Sequence, residues 1–347
     1  MMSLIEEYTT AIIENLPEWN HSGAKDNVQI QEGIRRFKEA TAQIDTSLDS
    51  NEQLKLLSDT IQKYVPDNHV SIKDVSGKNL KQPPFTHKRE NLSTQDLTAL
   101  GIKDIISIQV QKEKDPWIIG TIHGTRTGVV SIPSFGGNIE EQDQARKEFI
   151  NTFFSQKEQN KWQNIIFDFR GNTGGDSEVI KEIAERMFDN SVEYANKSEI
   201  LNTQAAQKKK EEGRSLKETL KSASHYLSLS PTDKFLGSIY ILQDEYNASA
   251  TEGAIFMLSQ LPKSTTIGEN TSGTFAGGAT TELPLSHGSL IIGTEYRERY
   301  DKSGKQIKEK EGMVPDIFCS SQKSFAKAVN IISEQSTRLM TKGKIFE

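Results

Sequence analysis

The sequence predicts an α/β fold: a core of repeated strand-turn-helix units behind an N-terminal helical subdomain. Three observations in the 347 residues predict it. Ile165 to Phe169 is an apolar run that passes through the glycine-rich turn Arg170-Gly171-Asn172-Thr173-Gly174-Gly175 into a helical stripe of Val179, Ile180, Ile183 and Met187. Ser238 to Leu242 repeats the plan, with a tight turn at Ser249 and then Ala254, Ile255, Met257, Leu258 and Leu261 at helical spacing. Two such units fit layered α/β packing around a largely parallel sheet. Upstream, residues 1 to about 66 carry only helical stripes between polar breaks.

Taken in order, Ile5, Tyr8, Ile12 and Ile13 form the first stripe, Ile30, Ile34 and Phe37 the second, and Leu54, Leu56, Leu57, Ile61 and Tyr64 the third. Pro66 stops that helix, since proline cannot donate to the next turn. Residues 67–72 alternate enough for a short strand, and 73–100, rich in Lys, Pro, Ser and Asn, read as loop. Strands are expected at Ile105–Val110, Trp117–Ile122 and Gly128–Ile132, with His123 to Arg126 as the hairpin turn between the last two. A helix follows over 142–154. Residues 195–234 form a charged, helix-prone insertion, read as a solvated arm. Further strands fall at Thr265–Gly268, Leu290–Ile292 and Thr294–Arg297, and a closing helix spans about 322–340. The expected domains are therefore 1–72 (helical), 73–116 (polar loop and first strand), 117–320 (core with the insertion) and 321–347 (C-terminal helix).

A formal net charge of −6 leaves no basic surplus for phosphates and argues against nucleic acid. No apolar run approaches membrane-span length. One cysteine, Cys319, excludes an intramolecular disulfide, and no Cys/His spacing suits a metal, so no cofactor is expected. The N-terminus carries acids and no signal-length apolar core. Read as given, the chain is expected in the cytoplasm, or secreted or periplasmic if a leader has been removed.

Ser249 stands between Ala248 and Ala250 where a strand turns into a helix. Alone, such a serine is an ordinary N-cap. Small neighbours also leave its hydroxyl accessible, and unpaired N–H groups at the helix start can receive a developing oxyanion. Four motifs in sequence change the balance: Ile165 to Gly175, Ala248-Ser249-Ala250-Thr251-Glu252, Ile267-Gly268-Glu269-Asn270-Thr271-Ser272-Gly273, and Gly312-Met313-Val314-Pro315-Asp316. Over about 117–320 they resemble the C-terminal-processing and tricorn-core serine peptidases.

The resemblance implies a crotonase/Clp-protease-like core, peptide or protein substrates, and Ser249 as the nucleophile. It implies an oxyanion hole from the N–H of Ala250 and that of Gly174 or Gly175. One branch of the family activates serine with a lysine after the Thr-x-Gly turn, but here Thr274 follows Gly273. The tricorn-like branch uses a histidine from an upstream helical unit. His69 in Asp67-Asn68-His69-Val70 matches it, with His123 as the rival base. Glu309, three residues before Gly312, matches the glutamate that orients the imidazole, and Glu311 is its neighbour and competitor. Lys310 stands where the pattern commonly has glycine, and Asn68 stands at the relay position. The region after His69 is too short and polar for a peptide-tail-reading PDZ domain, so a peptide is expected to dock as an added strand. The alternatives are an inactive ligand- or peptide-binding protein on the same fold, or a serine esterase or amidase.

Overall fold

The computed structural model describes residues 2–80, 94–110, 115–136, 139–188, 193–211, 223–226, 234–274, 280–301 and 303–343. The chain begins with α1 (Leu4–Asn15), α2 (Pro17–Asn20), α3 (Val28–Thr41), α4 (Ser50–Tyr64) and β1 (Ser71–Lys73). Then come α5 (Thr94–Ala99), β2 (Ile102–Ile108), β3 (Trp117–Ile122), β4 (Thr127–Ser131), α6 (Ile139–Gln159), β5 (Asn164–Asp168) and α7 (Glu178–Met187). The middle holds β6 (Glu193–Ile200), α8 (Gln204–Glu211), β7 (Ala223–Tyr226), β8 (Ser238–Gln243), α9 (Ala250–Ser259) and β9 (Ser264–Gly268). The last third adds β10 (Thr280–Leu285), β11 (Gly288–Gly293), β12 (Glu295–Tyr300), β13 (Gln306–Ile307), β14 (Ile317–Phe318) and α10 (Ser321–Gly343).

Two compact units share this chain, and neither is continuous in sequence. The first comprises Met1–Thr86, Ala195–His225 and Gly273–Lys310. Its helices start on polar caps: Ser3 in a capping box with Glu6, Asn27 for α3, and Asp49 for α4. Tyr8, Ile12, Leu16, Phe37, Leu54, Leu57 and Ile61 close over the three-stranded sheet β1-β11-β10, joined by Ile72, Leu290 and Ile292. The insertion differs from expectation. Its first part is strand β6, antiparallel to β12, and α8 buries Ala205 in the helical core while Lys209 donates to Thr280 O at 2.7 Å. It is therefore packed structure as far as Glu211, because alanines and a lysine stem suit a buried face that charge counting hides. Strand β10 was also absent from the expectation, since Thr280-Thr281-Glu282-Leu283-Pro284-Leu285 breaks its alternation with a proline.

The second unit comprises His87–Tyr194, Tyr226–Ser272 and Glu311–Glu347. Its seven-stranded sheet runs β14-β9-β8-β5-β4-β3-β2, parallel from β14 to β4 and antiparallel through β3 and β2. Side chains alternate across the strands. Ile166, Tyr240, Leu242 and Ile267 meet Phe325, Ala328 and Ile332 of α10 on one face. On the other, Phe167 stacks on Phe153 of α6. This is the mixed α/β fold, with helices on a mostly parallel sheet, that the repeated units predicted. Because β5 and β8 are parallel neighbours, the turns that leave their carboxyl ends lie side by side, the usual place for a ligand in such sheets.

Candidate active site

Ser249 caps α9 with φ 55° and ψ −123°, a backbone state that a side chain makes expensive. Its hydroxyl does not cap the helix, and the Ala250 N–H makes no hydrogen bond among the described residues. Strain of this kind, with a small residue on each side, turns a serine out at the mouth of a strand-to-helix elbow. Gly174 and Gly175 both have positive φ, 115° and 120°. A Cβ on Gly174 would lie 3.0 Å from Ala248 O and from Ser249 Cβ, and 3.5 Å from Ala250 N. The glycine turn therefore touches the elbow, and only a residue without a side chain allows it.

Buried polar side chains lock the two turns together. Asp244 Oδ1 accepts the Gly171 N–H at 3.0 Å, and Asn247 Nδ2 donates to Phe169 O at 2.6 Å. Asn172 Oδ1 accepts from the Gly174 N–H at 2.9 Å and from Thr251 Oγ1 at 2.7 Å, while its Nδ2 donates to Ile132 O at 2.9 Å. Gly174 thus has its N–H engaged, whereas the Gly175 N–H makes no hydrogen bond among the described residues. Asn172→Ala would strand two donors and a carbonyl in a site with no solvent access. We expect a loss of about 3 kcal/mol in denaturant unfolding, from buried groups left unsatisfied.

The remaining motifs support the same elbow. Glu252 is fully buried and accepts a hydrogen bond from Thr271 Oγ1, which itself accepts from the Met313 N–H at 2.7 Å. Gly312 (φ 70°) packs so closely that a Cβ would sit 2.1 Å from Thr271 O. Asp316 Oδ2 accepts from the N–H and hydroxyl of Thr266 on β9.

In the first unit a second cluster forms around His69. Asp67 Oδ1 accepts from the backbone N–H of His69 at 2.7 Å and lies 2.9 Å from its Nδ1. Glu309 Oε1 accepts the Asn68 N–H at 3.1 Å, and Asn68 Nδ2 donates to Gly273 O at 3.4 Å. Asp67, His69 and Glu309 each bring one polar atom within 4.8 Å of the others. A divalent ion could span such a spacing. The short contact of Asp67 with Nδ1, however, makes the group an imidazole set in one orientation between acids. Asp67 is the residue that sequence reasoning passed over; the Asp-x-His spacing, which lets a carboxylate bond the backbone two residues on, was its signal. Lys310 takes φ 68°, the left-handed region that glycine prefers, and its Nζ reaches Gln62 O at 2.8 Å. Burial lowers its pKa, against the pull of Glu309 and Asp67. His123 is exposed on the β3–β4 turn, and Glu311 is exposed before Gly312.

Residues 126–318, more than half of the chain, match the model of peptidase family S41. The chain belongs to that family. No curated protein matches it. Among solved structures, this S41 chain is similar to mature CPAF at 10% identity and a TM-score of 0.58, with 97% of each chain covered. A lipoprotein from Streptococcus agalactiae gives 13% identity and a TM-score of 0.54, covering 95% of this chain and 96% of that one. At such identities the likeness is one of fold. No described helix is long and apolar enough to cross a membrane.

Proposed function

We propose that this S41 chain is a serine peptidase that cleaves peptide bonds through an acyl-enzyme. Ser249 Oγ attacks the carbonyl carbon while His69 takes the hydroxyl proton. His69 then gives that proton to the departing amine as the C–N bond breaks, and water, activated by the same imidazole, releases the acyl group. Asp67, in contact with Nδ1, and Glu309 hold the ring and compensate its transient positive charge. The N–H groups of Ala250 and Gly175 receive the oxyanion; Gly174, its own N–H given to Asn172, keeps the approach open. Asn68 serves as relay, its N–H held by Glu309. The core is of the crotonase/Clp-protease kind, and the peptide docks as an added strand.

The observation that carries this reading is the strained conformation of Ser249 beside the Ala250 N–H and the Gly174 turn. A fluorophosphonate probe tests it. We expect stoichiometric labelling, mapped by mass spectrometry to the peptide containing Ser249, and none in Ser249→Ala. A native protein that stays unlabelled and hydrolyses no peptide would instead favour the binding-protein alternative, and labelling with turnover of esters alone would favour the esterase.

A further inference from the structure

The amino ends of the parallel strands carry a feature that the scheme above does not use. Strands β4, β5, β8 and β9 are parallel neighbours, so the segments that enter them lie along one edge of the sheet. A cavity of about 670 Å³ opens there, lined wholly by the second unit. Arg126 lines it from the residue before β4, Lys234 from the approach to β8, and Lys263 from the residue before β9. Lys157 and Lys161 join them from the end of α6 and the turn after it. Glu158 is the one acid in that lining among the described residues. The length of β8, six residues or about 20 Å, separates this cavity from the turn that leads to Ser249.

Five cations around one acid run against the composition of a chain whose 48 acidic residues outnumber its 42 basic ones. Lysines near a helix end are ordinary, because they suit the negative end of the dipole, and that accounts for Lys157 and Lys161. It does not account for Arg126 or Lys234, which follow strands. The backbone of Lys161 is more telling. The Trp162 N–H donates to Lys157 O at 3.1 Å and the Lys161 N–H to Glu158 O at 3.2 Å, a paired closure whose left-handed residue is usually glycine. Here that residue is a lysine at φ 48°, and Lys263 takes φ 58°. Side chains are disfavoured in this region, yet both lysines stand in it and both line the same cavity.

Two of the cations are held in place. Lys157 is 5% exposed with its Nζ 2.7 Å from Glu158 Oε1, and Lys263 Nζ donates to Leu236 O at 2.9 Å. Arg126 and Lys161 are exposed, and their side chains make no hydrogen bond or ion pair among the described residues. A concave wall carrying one sign of charge concentrates its potential inside the hollow. The volume is that of a small-molecule site, whereas an acidic protein would need a broad face. Leu236 and Ile332 add apolar wall beside the charges.

We propose that this cavity binds a small polyphosphate, its oxygens taken by Arg126, Lys161 and the neighbouring lysines, with Leu236 and Ile332 beside any organic group it carries. Lysine ammonium groups meet phosphate as compact point charges, and the arginine can hold two oxygens at once. Inorganic tripolyphosphate and a nucleoside triphosphate share that chemistry. Such a ligand is no substrate of Ser249, which lies beyond the other ends of the strands, and its binding does not depend on the peptidase reading. A ligand taken up by the folded chain alone also raises its stability by mass action.

Titration calorimetry and thermal unfolding of the full chain at low salt test the proposal, with sodium tripolyphosphate, magnesium-free ATP and a short polyglutamate peptide as probes. We expect a single site for tripolyphosphate or ATP, a raised unfolding midpoint with the same probe, and binding that weakens as salt is added. Lys161→Gly keeps the left-handed turn and removes the charge. Its own unfolding midpoint should therefore equal or exceed that of the wild type, while the dissociation constant for the probe rises about tenfold, the worth of one charge-assisted hydrogen bond. Arg126→Gln, on an exposed side chain, should weaken binding by a similar factor. Equal affinity for the two phosphates would assign the site to the phosphate chain, and tighter binding of ATP would add the apolar wall. Neither heat nor a raised midpoint with either phosphate, affinities unchanged in both variants, or binding of the polyglutamate peptide alone would overturn the proposal.

Discussion

His69→Ala should lower kcat for peptide hydrolysis by about 10⁴-fold or more, with KM little changed. An unassisted serine hydroxyl is a poor nucleophile at neutral pH, and no lysine follows the Thr271-Ser272-Gly273 turn to replace the imidazole. Ser249→Ala should fall to a similar residual rate, and the double variant should lose little more, because nucleophile and base act as one unit. Asp67→Asn is the informative companion. Its carboxylate touches Nδ1, so an amide there would favour the wrong tautomer while keeping the shape, and a loss of roughly 10³ to 10⁴ is expected. His123→Ala should turn over peptide like the wild type, since His123 lies exposed on a hairpin turn. Steady-state kinetics on one peptide substrate check all five proteins; a dead His123→Ala beside an active His69→Ala would reverse the assignment of the base.

Gly175→Ala should be among the most damaging single methyl groups in the second unit. Its Cβ would come 2.0 Å from Gly136 O, at a φ of 120° that side chains avoid. Backbone has to move there, because no flexible side chain can give way. We expect a destabilisation of about 3–5 kcal/mol, from overpacking and strain together, and the displaced N–H should also cost kcat. Gly124→Ala is the control: its φ is 71° and nothing lies within 4 Å of the added methyl, so only the backbone strain, about 1–2 kcal/mol, should register. Chemical denaturation of the two variants, compared with kcat for each, separates the clash from the general effect of leaving glycine.

What was legible in the sequence was the part written in short range. Apolar runs of five or six residues, glycine turns and helical stripes located β5, α7, β8 and α9, and with them the Ser249 elbow and the Gly174–Gly175 turn. The closing helix and the β3–β4 hairpin were equally visible. What escaped depends on partners far along the chain. Asn172, Asp244 and Asn247 look like ordinary turn residues until Thr251, Gly171 and Phe169 are known to lie against them. Strand β6 exists because β12 pairs with it, although its own residues are mostly charged or polar. Glu18 reads as a solvated acid at the start of a helix, and only its surroundings reveal it as buried. Lys310 shows the converse. Glycine is the pattern at that position because the backbone there is left-handed, and this chain retains the turn with a lysine.

The order in which the chain is made acquires a meaning from its interleaved units. A ribosome delivers residues from the N-terminus, yet the unit that carries His69 draws on a stretch ending at Lys310, and the sheet behind Ser249 takes its β14 edge and α10 cover from still later residues. Each unit waits for late residues, the first for those up to Lys310 and the second for β14 and α10. A nascent chain therefore holds Ser249 and His69 in unfinished scaffolds until residues beyond Lys310 have emerged, and on the peptidase reading proposed above cleavage begins only after that point.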